Sequence, residues 1–366
     1  MSDMHQAEYI PTIVVGGGQA GLAVGHYLRR YELPFVILDS AERIGDAWRN
    51  RWDSLRLFTP ARYAKLPGLG FPAPGHSFPT KDQLADYLEA YAQRFHLPVR
   101  TGVRVERVSR RGDHFLVSAG AEQFQAENVV VAMANYQKPR LPAFAKNLDP
   151  GILQVHSANY RNPSQLRPGK VLVVGAGNSA ADIAIELSRT HTTLMSGKES
   201  GYVPFPIESF FFRFVAIRFV RFLGHYMLSL ATPIGRKLRP KMLHRSAPLV
   251  RVKPADLIAA GVERLPRLAD VRDGLPVLAD GRTLDVQNVV WCTGYHPGFS
   301  WIDLPIFEPN GDPVHDRGIV ARAPGLFFVG LHYLYSMTSA TIVGVSRDAK
   351  RVVDAIVARD RSQAAA

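Results

Sequence analysis

Cysteine is almost missing from this chain: its 366 residues contain one, Cys292. A lone thiol forms no internal disulfide, no dithiol redox centre and no cysteine-rich metal site, and disulfide reduction, which needs a second cysteine, is not expected. No Ser/His/Asp triad, carboxylate pair or metal-ligand cluster stands out. No low-complexity tract appears. No basic start with a cleavable apolar stretch precedes Ile10 to Val15, so no secretory leader is expected and a reducing cytoplasm is the expected compartment. Acidic residues are missing from one long stretch, between Glu208 and Asp256. That stretch holds Arg213, Arg218, Arg221, Arg236, Lys237, Arg239, Lys241, Arg245, Arg251 and Lys253. The net charge of +12 is therefore concentrated in one segment, and the remainder is nearly neutral. A nucleic-acid-binding protein would spread its cations over a face, so no nucleic-acid partner is expected.

Two stretches share one grammar of β-branched run, glycine-rich turn and helix-compatible stretch, each followed by a second apolar run. The first runs Ile13-Val14-Val15-Gly16-Gly17-Gly18-Gln19-Ala20-Gly21, then Leu22 to Arg30 and Pro34 to Leu38. The second runs Val171-Leu172-Val173-Val174-Gly175-Ala176-Gly177-Asn178-Ser179-Ala180, then Asp182 to Ser188 and Thr192 to Met195. Strand, turn, helix and strand in that order build a parallel α/β sheet. Further elements are expected as a helix over Asp82 to Phe95, an alternating run over Val103 to Val108, and strands at Val129 to Ala132, Val289 to Trp291 and Leu326 to Gly330. A final helix is expected from about Ser339 through Ile356.

In the first turn Gly16, Gly18 and Gly21 form GxGxxG between strand and helix, the setting that gives the pattern physical meaning. The first glycine turns the chain, the second lets a pyrophosphate approach the backbone, and the third lets helix and strand pack closely. The phosphates then meet the positive helix end and the N–H groups of residues such as Gln19 and Ala20. Asp39, 21 residues after Gly18, is placed to accept hydrogen bonds from ribose hydroxyls. The second turn, Gly175, Gly177 and Ala180 with Asn178 and Ser179 between them, is a GxGxxA variant. Lys198 stands at the same offset from Gly177. A cation there suits a 2′-phosphate, so NADPH is expected at this turn, with NADH accepted less well.

Two such turns in one chain resemble the flavoproteins with two dinucleotide-binding domains, and shorter stretches resemble the bacterial flavin-containing monooxygenases. Glu42-Arg43-Ile44-Gly45-Asp46-Ala47-Trp48-Arg49 and Trp52 to Pro60 look like the family's segment after the ribose acid. His156 to Tyr160 resembles the end of its FxGxxxHxxxY fingerprint, and Cys292-Thr293-Gly294-Tyr295 its ATGY hinge. Gly330 through Ala349 resembles the part that closes over the flavin. The departures are Pro150 and Ile152 where the fingerprint has Phe and Gly, Pro60 where many members carry an asparagine, and Ala132-Met133-Ala134 at the other hinge.

The resemblance implies an α/β fold of two Rossmann-like domains, the second inserted in the first. Its expected parts are 1–160, 161–288 with a basic apolar insert at about 203–253, and 289–366. It implies FAD at Gly16, Gly18, Gln19, Ala20, Gly21, Asp39, Trp48, Arg49, Gly330, Ser339 and Thr341, and NADPH at Gly175, Gly177, Asn178, Ser179, Ala180 and Lys198. The implied activity is a monooxygenase that uses dioxygen, through a flavin C4a-hydroperoxide, to oxygenate small lipophilic sulfides, amines or ketones. A bound flavin carrying the chemistry suits the absence of a protein-borne catalytic set. His332, Tyr333 and Tyr335 are candidates to line the pocket or steer a proton. Ser339, Ala340 and Thr341 are expected to open the last helix towards the flavin. Two rivals stay open: an NADPH-dependent flavin oxidase or reductase releasing hydrogen peroxide, and a membrane-associated redox sensor. Phe210 to Leu223, with six aromatics and three arginines, has no charge-free stretch long enough to span a membrane. It is read as a peripheral lipid contact, a lid or a homodimer contact. Apolar residues on nearly every side of its helical projection favour burial in protein.

Overall fold

A computed structural model of the chain describes residues 7–199, 201–243 and 247–364. The β-branched runs form the centres of two parallel sheets. In the first, Thr12–Val15 lies between Asn128–Val131 and Phe35–Leu38, with Leu326–Phe328 and Val99–Arg100 at the edges. Neighbouring strands are all parallel. Ile13, Val14, Ile37 and Val129 to Val131 are wholly buried. Burial on both faces explains why these strands read as unbroken apolar runs. Helix Gln19–Arg30 packs against the final helix Val345–Ala364 on one face. The other face is covered by Val108, Phe115, Val117 and Phe124 from a sheet of Arg107–Arg111, His114–Ala119 and Glu122–Ala126, which lie antiparallel to one another.

The second sheet repeats the design. Lys170–Val174 lies between Asn288–Trp291 and Thr192–Ser196, with Leu153–His156 and Glu263–Leu265 outside, again all parallel. Its crossover helix is Asn178–Leu187. The chain leaves the first sheet after Asn128–Val131 and rejoins it at Leu326–Phe328, so the second α/β unit is inserted in the first. The two connectors meet: Lys138–Pro139 pairs antiparallel with Tyr295–His296, and Arg140 N–H donates to the Gly294 carbonyl at 2.9 Å.

Some expectations shift. Strands Leu153–His156 and Asn288–Trp291 belong to the second sheet, so it starts before residue 161 and includes residues assigned beyond 288. The alternating pattern at Val103 to Val108 is mostly extended loop, and the ladder begins at Arg107. The final helix starts at Val345, not at Ser339. Ser339 N–H donates to the Ser336 carbonyl and Thr341 N–H to that of Thr338, so these groups serve turns and do not form a helix end.

The basic segment forms a helical run of three abutting pieces, Phe212–Ala216, Ile217–Phe222 and Leu223–Met227, and a helix Pro233–Leu243. Arg245 lies outside the described residues. One side of the run buries Phe212 and Ile217 with Ile207 and Phe78. The expectation of burial all round fails for the other side, where Phe211, Val215, Phe219, Phe222 and Tyr226 are each more than half exposed.

Asn288 shows how the second sheet is closed. Its fully buried amide accepts from Arg167 N–H and donates to the Arg167 carbonyl, both at 2.8 Å. Asn288→Ala strands both backbone groups, a loss of about 1–3 kcal/mol. Thermal unfolding should begin several degrees lower, and an unchanged midpoint contradicts the role given to this amide.

Candidate cofactor and active site

The two turns can be compared atom by atom. Gly16 and Gly175 have positive φ, +108° and +137°. Each donates its N–H to the end of the neighbouring strand, Gly16 to the Leu38 carbonyl and Gly175 to that of Ser196, both at 2.8 Å. A Cβ on Gly21 would overlap the Gly16 carbonyl oxygen. In the second turn the corresponding Ala180 fits, 1% exposed. At Gly18 and Gly177 the space for a Cβ is open, with no protein atom within 4 Å. Closeness at the first and third positions and openness at the second is what a dinucleotide pyrophosphate requires. The N-termini of helices Gln19–Arg30 and Asn178–Leu187 point their N–H groups and dipoles at those openings. The residues present fit a dinucleotide at each turn.

Asp39 is held under the first turn: one carboxylate oxygen accepts from Gly17 N–H and the other from Ala41 N–H at 2.8 Å. The bonds from Gly16 and Gly175 put Leu38 and Ser196 in matching places, so Asp39 corresponds to Gly197. Lys198 lies one residue further, exposed. Counting from the second glycine hid this, because the second unit is one residue shorter up to that strand end. A Cβ on Gly197 would press on Gly175 and Ala176. No carboxylate stands there to repel a 2′-phosphate.

The other expected residues divide. Trp48 indole N–H donates to the Gln19 side chain at 3.2 Å, at the start of the first helix. Gly330, φ +84°, brings the end of the last strand close to Ala20, leaving 2.9 Å between a Cβ there and the Ala20 methyl. Arg49 is committed elsewhere: it donates to the Ile44 carbonyl at 2.6 Å and pairs with Asp46, Asp86 and Glu89 at 3.3, 2.9 and 3.1 Å. It clamps its loop to helix Lys81–Arg94. The Asn178 amide is also spent, donating to the Pro248 carbonyl and accepting from Val250 N–H. Ser339 Oγ accepts from Tyr335 and Ser336 N–H at 3.0 and 2.9 Å, shaping the candidate catalytic loop. Thr341 Oγ donates to the Thr338 carbonyl at 2.7 Å.

The three catalytic candidates face different neighbours. His332 N–H donates to Asn135 Oδ1 at 3.0 Å, and its ring meets Tyr136 edge-on at 5.3 Å. Tyr136 contacts Tyr295, which contacts His156 and accepts a 2.8 Å hydrogen bond from Arg51. This cluster joins the two α/β units. Tyr136 and His332 both keep an exposed face at the edge of this cluster. The surrounding protein holds the His332 imidazole below its usual range and pushes the Tyr136 phenol up. Tyr333 is buried, sits at φ +50° and donates to the Gly235 carbonyl at 3.3 Å. That is a strained conformation for a bulky residue. Tyr335 stacks under the Arg347 guanidinium, 3.9 Å from its ring centre. Asn135, Tyr136 and Arg51 were not among the expected residues. Asn135 and Tyr136 follow a strand of the first sheet just beyond the Ala132 to Ala134 hinge, the end of a parallel sheet where ligands bind.

His156 is buried at the junction. Its Nδ1 accepts from Ala158 N–H and its Nε2 donates to the Gly294 carbonyl, both at 3.1 Å. Burial pushes the Cys292 thiol up to about 12, so it stays protonated.

A model of the pyridine nucleotide-disulphide oxidoreductase family matches residues 13–200. The chain belongs to that family. It is 38% identical over 353 residues to the "Uncharacterized oxidoreductase CzcO-like" of Geobacillus kaustophilus, covering 95% of this chain and 98% of the relative. It is 28% identical over 390 residues to a "Probable indole-3-pyruvate monooxygenase YUCCA3" of Arabidopsis thaliana, covering 95% and 86%. The flavin-containing monooxygenase of Stenotrophomonas maltophilia superposes with a TM-score of 0.77 at 29% identity over 96% of this chain and 99% of that one. The chain is thus an NAD(P)H-dependent flavoprotein oxidoreductase of the flavin monooxygenase type with two Rossmann-like units.

Gly18 and Gly21 separate ligand binding from folding. Gly18→Val places its side chain in open space, so the fold should persist while flavin is lost. Gly21→Val drives atoms into the Gly16 carbonyl and should destabilise the fold itself by about 3 kcal/mol or more. Absorbance of bound flavin beside circular dichroism checks both. Flavin retained by Gly18→Val contradicts the assignment.

Proposed function

We propose that this protein is an FAD-dependent monooxygenase that consumes NADPH, with NADH accepted less well, and oxygenates small lipophilic sulfides, amines or ketones. The observation that carries the proposal is the difference between the two turns. Asp39 under the first suits the free ribose hydroxyls of FAD, whereas Gly197 and Lys198 at the second suit a 2′-phosphate. Bound flavin would supply hydride acceptance and oxygen activation.

The protein's own residues do the rest. The start of helix Gln19–Arg30 would hold the FAD pyrophosphate, and Trp48 braces that helix start through Gln19. Tyr136 and His332 form a wall against which an apolar substrate can be oriented and water displaced. Because its surroundings depress protonation, His332 is neutral near pH 7 and charges only below the usual histidine range. At neutrality its ring therefore offers a neutral nitrogen as a hydrogen-bond acceptor. Cys292 is kept as a protonated thiol. The similarity to an indole-3-pyruvate monooxygenase of Arabidopsis makes an apolar 2-oxo acid a natural first compound among the ketones.

One observation favours a second reading: Pro60 stands where an oxygen-contacting asparagine is expected. This suits an oxidase that releases hydrogen peroxide. Measuring oxygenated product and peroxide per NADPH consumed decides between them. Product close to one per NADPH supports the monooxygenase, and peroxide close to one per NADPH, with every sulfide and ketone tried, overturns it.

Lys198→Ala should reduce the NADPH to NADH ratio of kcat/KM about tenfold, equivalent to about 1.4 kcal/mol, chiefly through KM for NADPH. An unchanged ratio puts the 2′-phosphate elsewhere.

A further inference from the structure

The helical run of the basic segment is fastened to the protein on one side and unpartnered on the other. Leu230 N–H donates to the Tyr335 carbonyl at 2.8 Å, Met337 N–H to that of Leu228 at 3.1 Å, and the Arg347 guanidinium to that of His225 at 2.7 Å. The Arg251 guanidinium pins the far end, donating to the Arg56 and Leu57 carbonyls and pairing with Glu208 at 2.9 Å. The segment is thus held as a firm platform beside the Tyr333 and Tyr335 loop.

Its outward side carries one apolar stripe. Phe211, Val215, Phe219, Phe222 and Tyr226 follow each other at steps of four and three, so they share a helix face. Their exposures are 60, 53, 66, 53 and 58%. Phe210, 75% exposed, lies beside its start and stacks on Phe214 at 4.3 Å. Two arginines of the run turn inward onto aromatic rings, Arg213 over Phe78 and Arg221 over Tyr63. Arg218, Arg236, Lys237 and Lys241 remain exposed, with no acidic residue anywhere between Glu208 and Asp256 to answer them.

We propose that this stripe and its cations form a docking surface for an anionic lipid bilayer, on which the helical run lies in the interface plane. The charge pattern selects this occupant. In a two-fold dimer the same patch meets itself, so the exposed cations of the segment would face cations of the partner, with no carboxylate in the segment to relieve them. Anionic headgroups supply that charge, while exposed phenylalanine and tyrosine side chains enter the headgroup and acyl boundary. No described helix is long and apolar enough to cross a membrane, so the contact is peripheral.

The test is flotation of the flavin-loaded protein with vesicles of phosphatidylcholine alone or mixed equally with phosphatidylglycerol. Binding should occur to the mixed vesicles only and fall more than tenfold when salt is raised to about 0.5 M, because the headgroup attraction is screened. The double variant Phe219→Ser, Phe222→Ser and, separately, Arg218→Gln, Lys237→Gln should each weaken binding at least tenfold while keeping bound flavin. The cation pair also keeps the proposal open to refutation if the aromatic variant does not fold. No binding to the mixed vesicles, or undiminished binding by the cation variant, overturns the proposal. So does a dimer in sedimentation that the aromatic variant dissociates without any vesicle binding.

Discussion

The structure depends on one steric constraint made twice: a helix start must press against a strand end while leaving the middle of the turn empty. Gly21 and Ala180 meet the first demand and Gly18 and Gly177 the second. Much of the rest follows. The strands must be parallel and buried, because the turn needs a helix beginning at the carboxyl end of a central strand. Gly330 must lack a side chain, because the last strand ends close to the same helix start. The connectors must pair, because the two units are joined through Lys138–Pro139 and Tyr295–His296.

The basic segment adds a second dependence. It is bonded to the second turn through Asn178, to the loop at Arg56 and Leu57 through Arg251, and to the C-terminal loop through Leu230 and Arg347. It therefore ties both α/β units to the loop carrying Tyr333 and Tyr335, and Tyr333 keeps its strained backbone against Gly235. A surface contact on the outer stripe would act on this whole unit, since the inner side is bolted down.

Much of this was legible in the sequence because it rests on local rules. Buried parallel strands announce themselves as runs such as Val171 to Val174, and glycine spacing marks where a helix must come close. Residues whose role arises from tertiary placement were harder to read. Arg49 lies in a family-like segment, but its ion pairs reach across to Asp86 and Glu89. Lys198 was placed by counting, and the difference of one residue in unit length puts Gly197 opposite Asp39. Ser339 and Thr341 suggested a helix start, yet hydrogen bonds to Ser336 and Thr338 turn the chain first. The outward stripe was obscured because a helical projection shows periodicity and not which side meets neighbours. Asn135 and Tyr136 belong to no glycine pattern, and only their place after a central strand distinguishes them.

The most direct test of a two-nucleotide flavoprotein oxygenase is anaerobic titration of the purified, flavin-loaded protein with NADPH, followed by dioxygen and a lipophilic sulfide. The account predicts that one NADPH bleaches one flavin and that dioxygen restores the oxidised spectrum with formation of sulfoxide. A flavin that NADPH leaves oxidised, or a protein purified and reconstituted without binding flavin, contradicts it.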